Sequence, residues 1–77
     1  MKYFFIVRDG KNVGVLQTDS PEGFPFELKS ISEDVYNAYI QKLSEICSKY
    51  AEDETTLNQK LEALKNADTV EEINAIS

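Results

Sequence analysis

Apolar residues at the start of the chain form a continuous run instead of alternating with polar ones. Residues 2–8 are mostly aromatic and β-branched, which is the composition of a strand. The turn that follows, Asp9–Asn12, contains a glycine, which takes a positive φ freely, and an asparagine, which tolerates one. Val13–Thr18 predicts a second strand, weakened or bulged at Gly14. The pattern therefore predicts an N-terminal antiparallel β-hairpin.

The unbroken apolar run Tyr3–Val7 also predicts how this hairpin packs. A strand with one face in water alternates apolar and polar residues, whereas a strand covered on both faces has no such constraint. An isolated hairpin is barely stable in water, so it must pack against other elements. We expect the chain's own helices to cover one face, and the Gly23–Leu28 segment or a second subunit to cover the other.

A segment over residues 19–29 is interrupted by two prolines and a glycine, which predicts a loop. Within it, Phe26–Leu28 predicts a short third strand, because a proline is tolerated just before a strand. We expect Phe24 and Phe26 to anchor the loop on the core. The alternative is that they belong to an exposed recognition loop, since loops often carry function.

An amphipathic helix is predicted after this loop. Ser30 with Glu33 forms a capping box, and Ser32 is a competing N-cap. The acidic run Glu52–Glu54 marks the end of the helix or a connection. Between these limits apolar residues recur at spacings of three and four, which places them on one broad stripe. They are Val35, Tyr36, Tyr39, Ile40, Leu43, Ile46, Cys47 and Tyr50.

Two further capping boxes divide the rest of the chain. Thr56 with Gln59 predicts the start of a second helix, and Thr69 with Glu72 predicts the start of a short third one. Leucine, valine and isoleucine residues continue at helical spacing over 57–76. These signals favour two helices, and a single helix over 57–76 is the alternative.

Together these elements predict an α+β fold: an N-terminal antiparallel β-hairpin, with or without a short third strand, packed on two or three C-terminal helices. The length of 77 residues allows a single domain, in which 1–29 form the hairpin and loop and 30–77 form the helical part. A lone core of this size is marginal, and small domains usually gain stability from disulfides, metals or a partner chain.

Composition excludes much catalytic and metal-binding chemistry. The chain has no histidine and one cysteine, which excludes Ser-His-Asp and Cys-His nucleophile systems, the usual zinc sites and an internal disulfide. The sequence contains neither a phosphate-binding loop nor a calcium loop. We therefore expect a protein that is not an enzyme and that holds no cofactor or metal. We also expect Cys47 to be buried as a small hydrophobic residue.

Charge and hydropathy limit the classes of partner. Eight basic and 14 acidic residues give a net charge of −6, all of which lies in residues 31–77. Such a charge repels phosphate backbones, so we expect no direct nucleic-acid binding. No apolar run approaches the roughly 20 residues of a membrane span, and no signal peptide is visible. The sequence predicts a cytoplasmic protein without membrane contact.

The apolar stripe of the first helix is wider than one small hairpin covers, which predicts association with another chain. Tyrosine suits surfaces that are dry at the ring and wet at the hydroxyl, as interfaces are. The alternative is that the C-terminal helices cover the stripe. We expect a homodimer or other homo-oligomer whose interface is built from Tyr3, Phe5, Tyr36, Tyr39 and Leu43.

A function of another class is an acidic inhibitor. The run of Glu52, Asp53 and Glu54 would then occupy a basic, nucleic-acid-binding groove on a host protein such as a defence nuclease. Charge complementarity would steer that association, so added salt would weaken it steeply. A hydrophobic homodimer should be nearly insensitive to salt by comparison.

Three stretches, which cover less than half of the chain, resemble small bacteriophage proteins. The opening Met1–Phe5 and the helix start Ile31–Tyr36 are similar to the beginning of phage tail-fibre assembly proteins. The ending Asp68–Ile76 is similar to the terminal helices of small tail-associated proteins. The resemblance implies a non-enzymatic role in assembling or accompanying phage structural proteins in the host cytoplasm, and it carries over no catalytic residue.

Overall fold

Three strands followed by three helices make up the chain in a computed structural model, which describes residues 1–76. The elements are β1 (Lys2–Arg8), β2 (Lys11–Thr18), β3 (Glu27–Ile31), α1 (Glu33–Lys49), α2 (Glu54–Lys65) and α3 (Val70–Asn74). The predicted α+β class, with a hairpin packed on helices, is confirmed. The molecule is a slab of 38 × 23 × 17 Å, with the sheet as one layer and the helices as the other.

β1 is the central strand of an antiparallel sheet with the order β2-β1-β3. At the hairpin turn Asp9 and Gly10 both have positive φ, 54° and 77°, and Arg8 pairs with Lys11 across them. Two consecutive residues with positive φ form a type I′ turn, whose twist suits a two-residue hairpin. The turn is therefore shorter than the predicted 9–12, and β2 begins at Lys11.

β3 is longer than predicted and moves the start of the helical part. It pairs with β1 over Glu27–Ile31, where Phe26–Leu28 was expected, so the sheet includes Ser30. Ser30 is therefore not the N-cap of α1. The competing candidate Ser32 has that role, and its hydroxyl oxygen accepts a hydrogen bond from the amide of Val35 at 3.2 Å. The sheet thus ends at Ile31, two residues after residue 29, where the hairpin and loop part was predicted to end.

A β-bulge in β2 turns one side chain toward the helices. The ladder pairs Ile6 with Gly14 and Val7 with Asn12, which leaves Val13 unpaired between them. The bulge was expected at Gly14 and lies at Val13, the residue before it. An extra residue of this kind bends the strand and re-aims the side chains beyond it. Asn12 consequently faces the helices, although strict alternation would place it on the opposite face of the sheet.

Asn12 ties the hairpin to the connection between α2 and α3. Its side chain is 5% exposed, and its amide nitrogen donates to the carbonyl oxygen of Ala67 at 3.0 Å and to the carboxylate of Asp68 at 2.8 Å. Lys29 on β3 reaches the same carboxylate at 3.3 Å. A buried amide is costly unless it is hydrogen-bonded, so these contacts fix how the helices sit on the sheet.

The helices cover one face of the sheet, which we call the inner face. Phe5 projects from that face into the core, where its ring and the ring of Tyr39 pack in an edge-to-face arrangement with centroids 5.9 Å apart. The buried members of the core are Phe5, Tyr39, Ile46, Leu64, Ala67 and Ile73. Within residues 1–76 no helix packs on the opposite face, which we call the outer face.

α2 and α3 are separate helices, as predicted, but α2 begins earlier than expected. Asp53 is its N-cap and accepts hydrogen bonds from the amide and the hydroxyl of Thr56, at 3.1 and 2.7 Å. The predicted start at Thr56 is therefore wrong, because a carboxylate three residues upstream already caps the helix. Thr69 caps α3 as predicted and accepts from the amide of Glu72 at 3.1 Å.

Two residues of α1 differ from the burial that their chemistry predicts. Cys47 is exposed, so the prediction that it is buried is wrong. Ile46 takes the inward position, and the next residue lies about 100° further around the helix. Lys42 is buried, and its ammonium group donates to the carbonyl oxygen of Ile76 at 2.8 Å and pairs with Glu45 at 3.6 Å. A lysine stem packs on apolar surface when its charged end finds acceptors in this way.

We expect Asn12→Ala to lower the free energy of unfolding by about 1–3 kcal/mol, because it removes two hydrogen bonds and leaves the carbonyl group of Ala67 without this donor. Urea denaturation at neutral pH measures the change. Asn37→Ala, at an exposed position of α1, is the control and should stay within about 0.5 kcal/mol of the original chain. Equal losses in the two variants would contradict the role assigned to Asn12.

The Asp68 carboxyl should make stability depend on pH in the acidic range. The hydrogen bond from Asn12, supported by Lys29, holds its pKa below the ordinary value. Its contribution to stability is therefore present above about pH 4 and is lost as the pH falls through the lower, folded-state pKa. Between about pH 5 and pH 2 the free energy of unfolding should fall less steeply in Asp68→Asn than in the original chain. If the free energy of unfolding fell equally steeply with pH in both chains over that range, this contribution of Asp68 would be ruled out.

Candidate protein-binding surface

Two of the five residues predicted to form an interface lie in the core. Phe5 is fully buried and Tyr39 is 4% exposed. Burial also raises the pKa of the Tyr39 hydroxyl. Because the chain's own helices enclose both rings, neither ring has surface to offer to another chain. Their place in the predicted interface is therefore wrong, since the helices pack on the face of β1 that carries Phe5.

The other three predicted interface residues, Tyr3, Tyr36 and Leu43, are partly buried and have partners within the chain. The rings of Tyr3 and Tyr36 lie 4.8 Å apart, and Leu43 packs against the core. The hydroxyl of Tyr3 donates to the carboxylate of Glu33 at 2.7 Å, and this hydrogen bond raises the pKa of Tyr3. An interface at these three residues stays a prediction.

The outer face of the sheet carries a second set of apolar side chains. Phe4 is buried, and Ile6, Leu16 and Leu28 are partly buried, yet none of them belongs to the core beneath the helices. The register of the ladders places on this face Lys2, Phe4, Ile6 and Arg8 of β1, Lys11, Gly14, Leu16 and Thr18 of β2, and Leu28 and Ser30 of β3.

An exposed aromatic pair lies just before β3. The rings of Phe24 and Phe26 pack together with centroids 5.4 Å apart, and the two residues are 37% and 38% exposed. Neither residue packs in the core, so the prediction that they anchor the loop there is wrong. The chain bends at Pro25 and Phe26, between and at the two rings that are in contact.

A groove beside this pair opens onto the outer face. It has a volume of about 400 Å³ and is lined by Ile6, Val7, Arg8, Val13, Pro25 and Phe26. The bulge exposes 41% of Val13, which would otherwise point toward the helices. Val13, Phe24 and Phe26 thus place exposed apolar surface at one end of the outer face. Contiguous apolar surface of this kind marks sites of interaction.

Charge distinguishes the outer face from the helical layer. The strand positions of the outer face include the cations Lys2 and Arg8 and no carboxylate. The net charge of −6 lies in residues 31–77, which contain all three helices. The outer face is therefore locally positive on a negatively charged protein.

The acidic run proposed as an alternative site is exposed where α1 joins α2. Asp53 caps α2, and its hydrogen bonds with Thr56 hold the pKa of its carboxyl below the ordinary value. Glu54 is the first residue of α2, where a negative charge interacts favourably with the helix dipole. Local structure thus accounts for two of the three acids, and Glu52 is an exposed neighbour.

The apolar pattern of the sequence does not show which side of β1 meets the helices, because the strand is apolar at consecutive positions. Alternation cannot tell Phe4 and Ile6 from their odd-numbered neighbours when all of them are apolar. The charged residues Lys2 and Arg8 share the parity of Phe4 and Ile6, however, and charged side chains face solvent. That parity was the signal in the sequence that marks the outer face.

Within residues 1–76 no group of three or more cysteine, aspartate or glutamate side chains is placed to hold a metal ion. None of the helices in that range is both long and apolar enough to cross a membrane.

Comparisons with family models, curated proteins and solved structures gave no match to this chain. The resemblance to phage tail-fibre assembly proteins accordingly stays a prediction. The outer face, with its exposed aromatic pair and groove, is the candidate binding surface of the described residues.

We expect Phe5→Ala to destabilise the fold by about 3–5 kcal/mol and Phe26→Ala by less than about 1 kcal/mol, because only Phe5 fills the core. Urea denaturation followed by circular dichroism measures both changes. The same substitution is made on the two sides of the sheet, so each variant is the control for the other. A comparable loss from Phe26→Ala would place that ring in the folding core instead of on a binding surface.

Proposed function

We propose that this chain is a non-enzymatic protein that acts by binding another protein chain through the outer face of its sheet. The observation that carries the proposal is the exposure of Val13, Phe24 and Phe26 beside the apolar strand residues of that face. Small soluble proteins seldom leave contiguous apolar surface uncovered unless it binds something. Aromatic residues are also enriched in the central part of protein interfaces.

The shape of the molecule supports the proposal. Its radius of gyration is 12.7 Å, whereas a compact chain of this length has about 11.5 Å. The molecule extends 38 Å along its longest axis and 17 Å along its shortest, and helices cover only the inner face of its sheet. Sheets with apolar residues on both faces normally have a layer on each. A partner on the outer face would supply that second cover.

The two carboxyl groups whose pKa values are lowered, those of Asp53 and Asp68, have structural roles. A carboxyl group that acts as a general acid near neutral pH needs a raised pKa. Hydrogen bonds lower the pKa of Asp53 and Asp68, which keeps both groups ionised. One caps a helix and the other links the sheet to the helices, so both have structural roles.

The alternative of an acidic inhibitor makes a different prediction about salt. A partner held by the exposed carboxylates of Glu52 and Glu54 would dissociate steeply as salt is added. A partner held by apolar contact on the outer face would not dissociate when salt is added. The phage resemblance implies a role in assembly, which a non-enzymatic binding protein would fit.

The proposal is tested by a photo-cross-linker on the outer face. Phe26→p-benzoylphenylalanine keeps an aromatic side chain at a position that is 38% exposed. In cells that naturally contain the chain, we expect irradiation to yield cross-linked protein adducts, which mass spectrometry identifies. The adducts should form because, in the bound state, the benzophenone group at position 26 lies close to C–H bonds of the partner protein.

The matched control is Ile40→p-benzoylphenylalanine, since Ile40 is 43% exposed on α1 in the other layer of the slab. We expect few adducts from that position. An absence of adducts from position 26, or equal adducts from both positions, would count against the outer face as the binding surface.

A further inference from the structure

We infer that the outer face binds a second copy of this chain, with the Phe24–Phe26 pair of each copy lying in the groove beside the same pair of the other. The inference rests on the proposed function and names the partner of that surface. It places the two sheets face to face, with the helical layers on the outside, about a two-fold axis.

The first argument is that a projecting element and a groove lie side by side on one face. Phe24 and Phe26, in the segment before β3, are 37% and 38% exposed, and Phe26 also lines the groove of about 400 Å³. A two-fold interface requires a surface complementary to itself, so that each copy gives and receives the same contact. An exposed aromatic pair next to a groove with apolar walls meets that requirement.

The second argument concerns charge. Two copies that each carry −6 repel one another, and the repulsion is weakest where no carboxylates face each other. The strand positions of the outer face have none, and the acidic helical layers lie on the far side; the aromatic segment itself is flanked by only two carboxylates, Glu22 and Glu27. Contact through the outer faces therefore keeps the two negative layers as far apart as the slab allows, and added salt should strengthen the association.

Arg8 gives the groove a specific way to hold an aromatic ring. It lines the groove, and no acidic residue lies among the strand positions of that face. An arginine side chain stacks well over the face of an aromatic ring. In the two-fold arrangement the ring of Phe24 from one copy would lie against the guanidinium of Arg8 from the other.

The third argument is area. The three strands contain 7, 8 and 5 residues, and with a rise of about 3.3 Å per residue and a spacing of about 4.8 Å between strands they span about 320 Å². Two such faces, with the aromatic segments added, approach the roughly 1,000 Å² that a specific interface needs. This area is smaller than that of permanent dimers, so we expect a dimer that dissociates on dilution.

Sedimentation equilibrium of the purified chain tests the inference. At about 100 μM we expect a mass near twice 8.7 kDa, with dissociation on dilution. Raising salt from about 50 to 500 mM should tighten the dimer several-fold. Phe24→Lys should weaken it by at least roughly tenfold, because it places a charge in the apolar groove beside Arg8. Ile40→Lys, the same change of charge at an equally exposed residue of α1, should leave the dimer intact.

A mass of 8.7 kDa at every concentration would overturn the inference. If Phe26→p-benzoylphenylalanine then cross-links to a different protein, the proposed function survives and only the second copy is wrong; with no cross-link, both are wrong. Equal weakening by Phe24→Lys and Ile40→Lys would also overturn the inference, since it would move the contact away from the outer face. Circular dichroism of both variants shows whether each remains folded.

Discussion

The hydrogen bonds donated by the buried side chain of Asn12 determine how the two layers of this protein fit together. They join β2 to the connection between α2 and α3 through Ala67 and Asp68. A buried amide without partners would be costly, so the sheet has one favourable position over the helices. Slipping the strand by one residue would turn Asn12 to solvent and exchange the two faces. The link thus decides which apolar side chains become core and which remain on the outer face.

The bulge that brings Asn12 inward also creates the outer surface. By leaving Val13 unpaired, it directs an apolar side chain away from the helices and toward the groove beside Phe26. A regular strand would place Val13 over the core and Asn12 in solvent, and would lose both the link and part of the groove. One irregularity in β2 therefore serves the fold and the candidate binding surface together.

The sequence predicts the elements better than their orientation. The hairpin, the helix ends near the acidic run and the break before Thr69 follow from turn and capping residues, which act locally. The side of β1 that meets the helices depends on Asn12 and on a bulge, which are tertiary features. Cys47 and Lys42 show the same limit, because the inward position of α1 is decided by what packs on it: an isoleucine beside the cysteine, and a carbonyl group that a lysine can reach.

Association through the outer face would also end at two copies, and the structure explains why. The interface would use up the exposed apolar face, and the helical layers left outside would carry the negative charge, so further copies would meet a repulsive surface. The edge strands of the sheet are also poorly suited to pair with strands of further copies. β2 is bulged, and β3 is five residues long and carries Lys29 on its inner side. Short edges, bulges and inward-pointing charges are the features by which native sheets avoid joining edge to edge. The same residues that link the sheet to the helices thus restrict how the sheet can be extended.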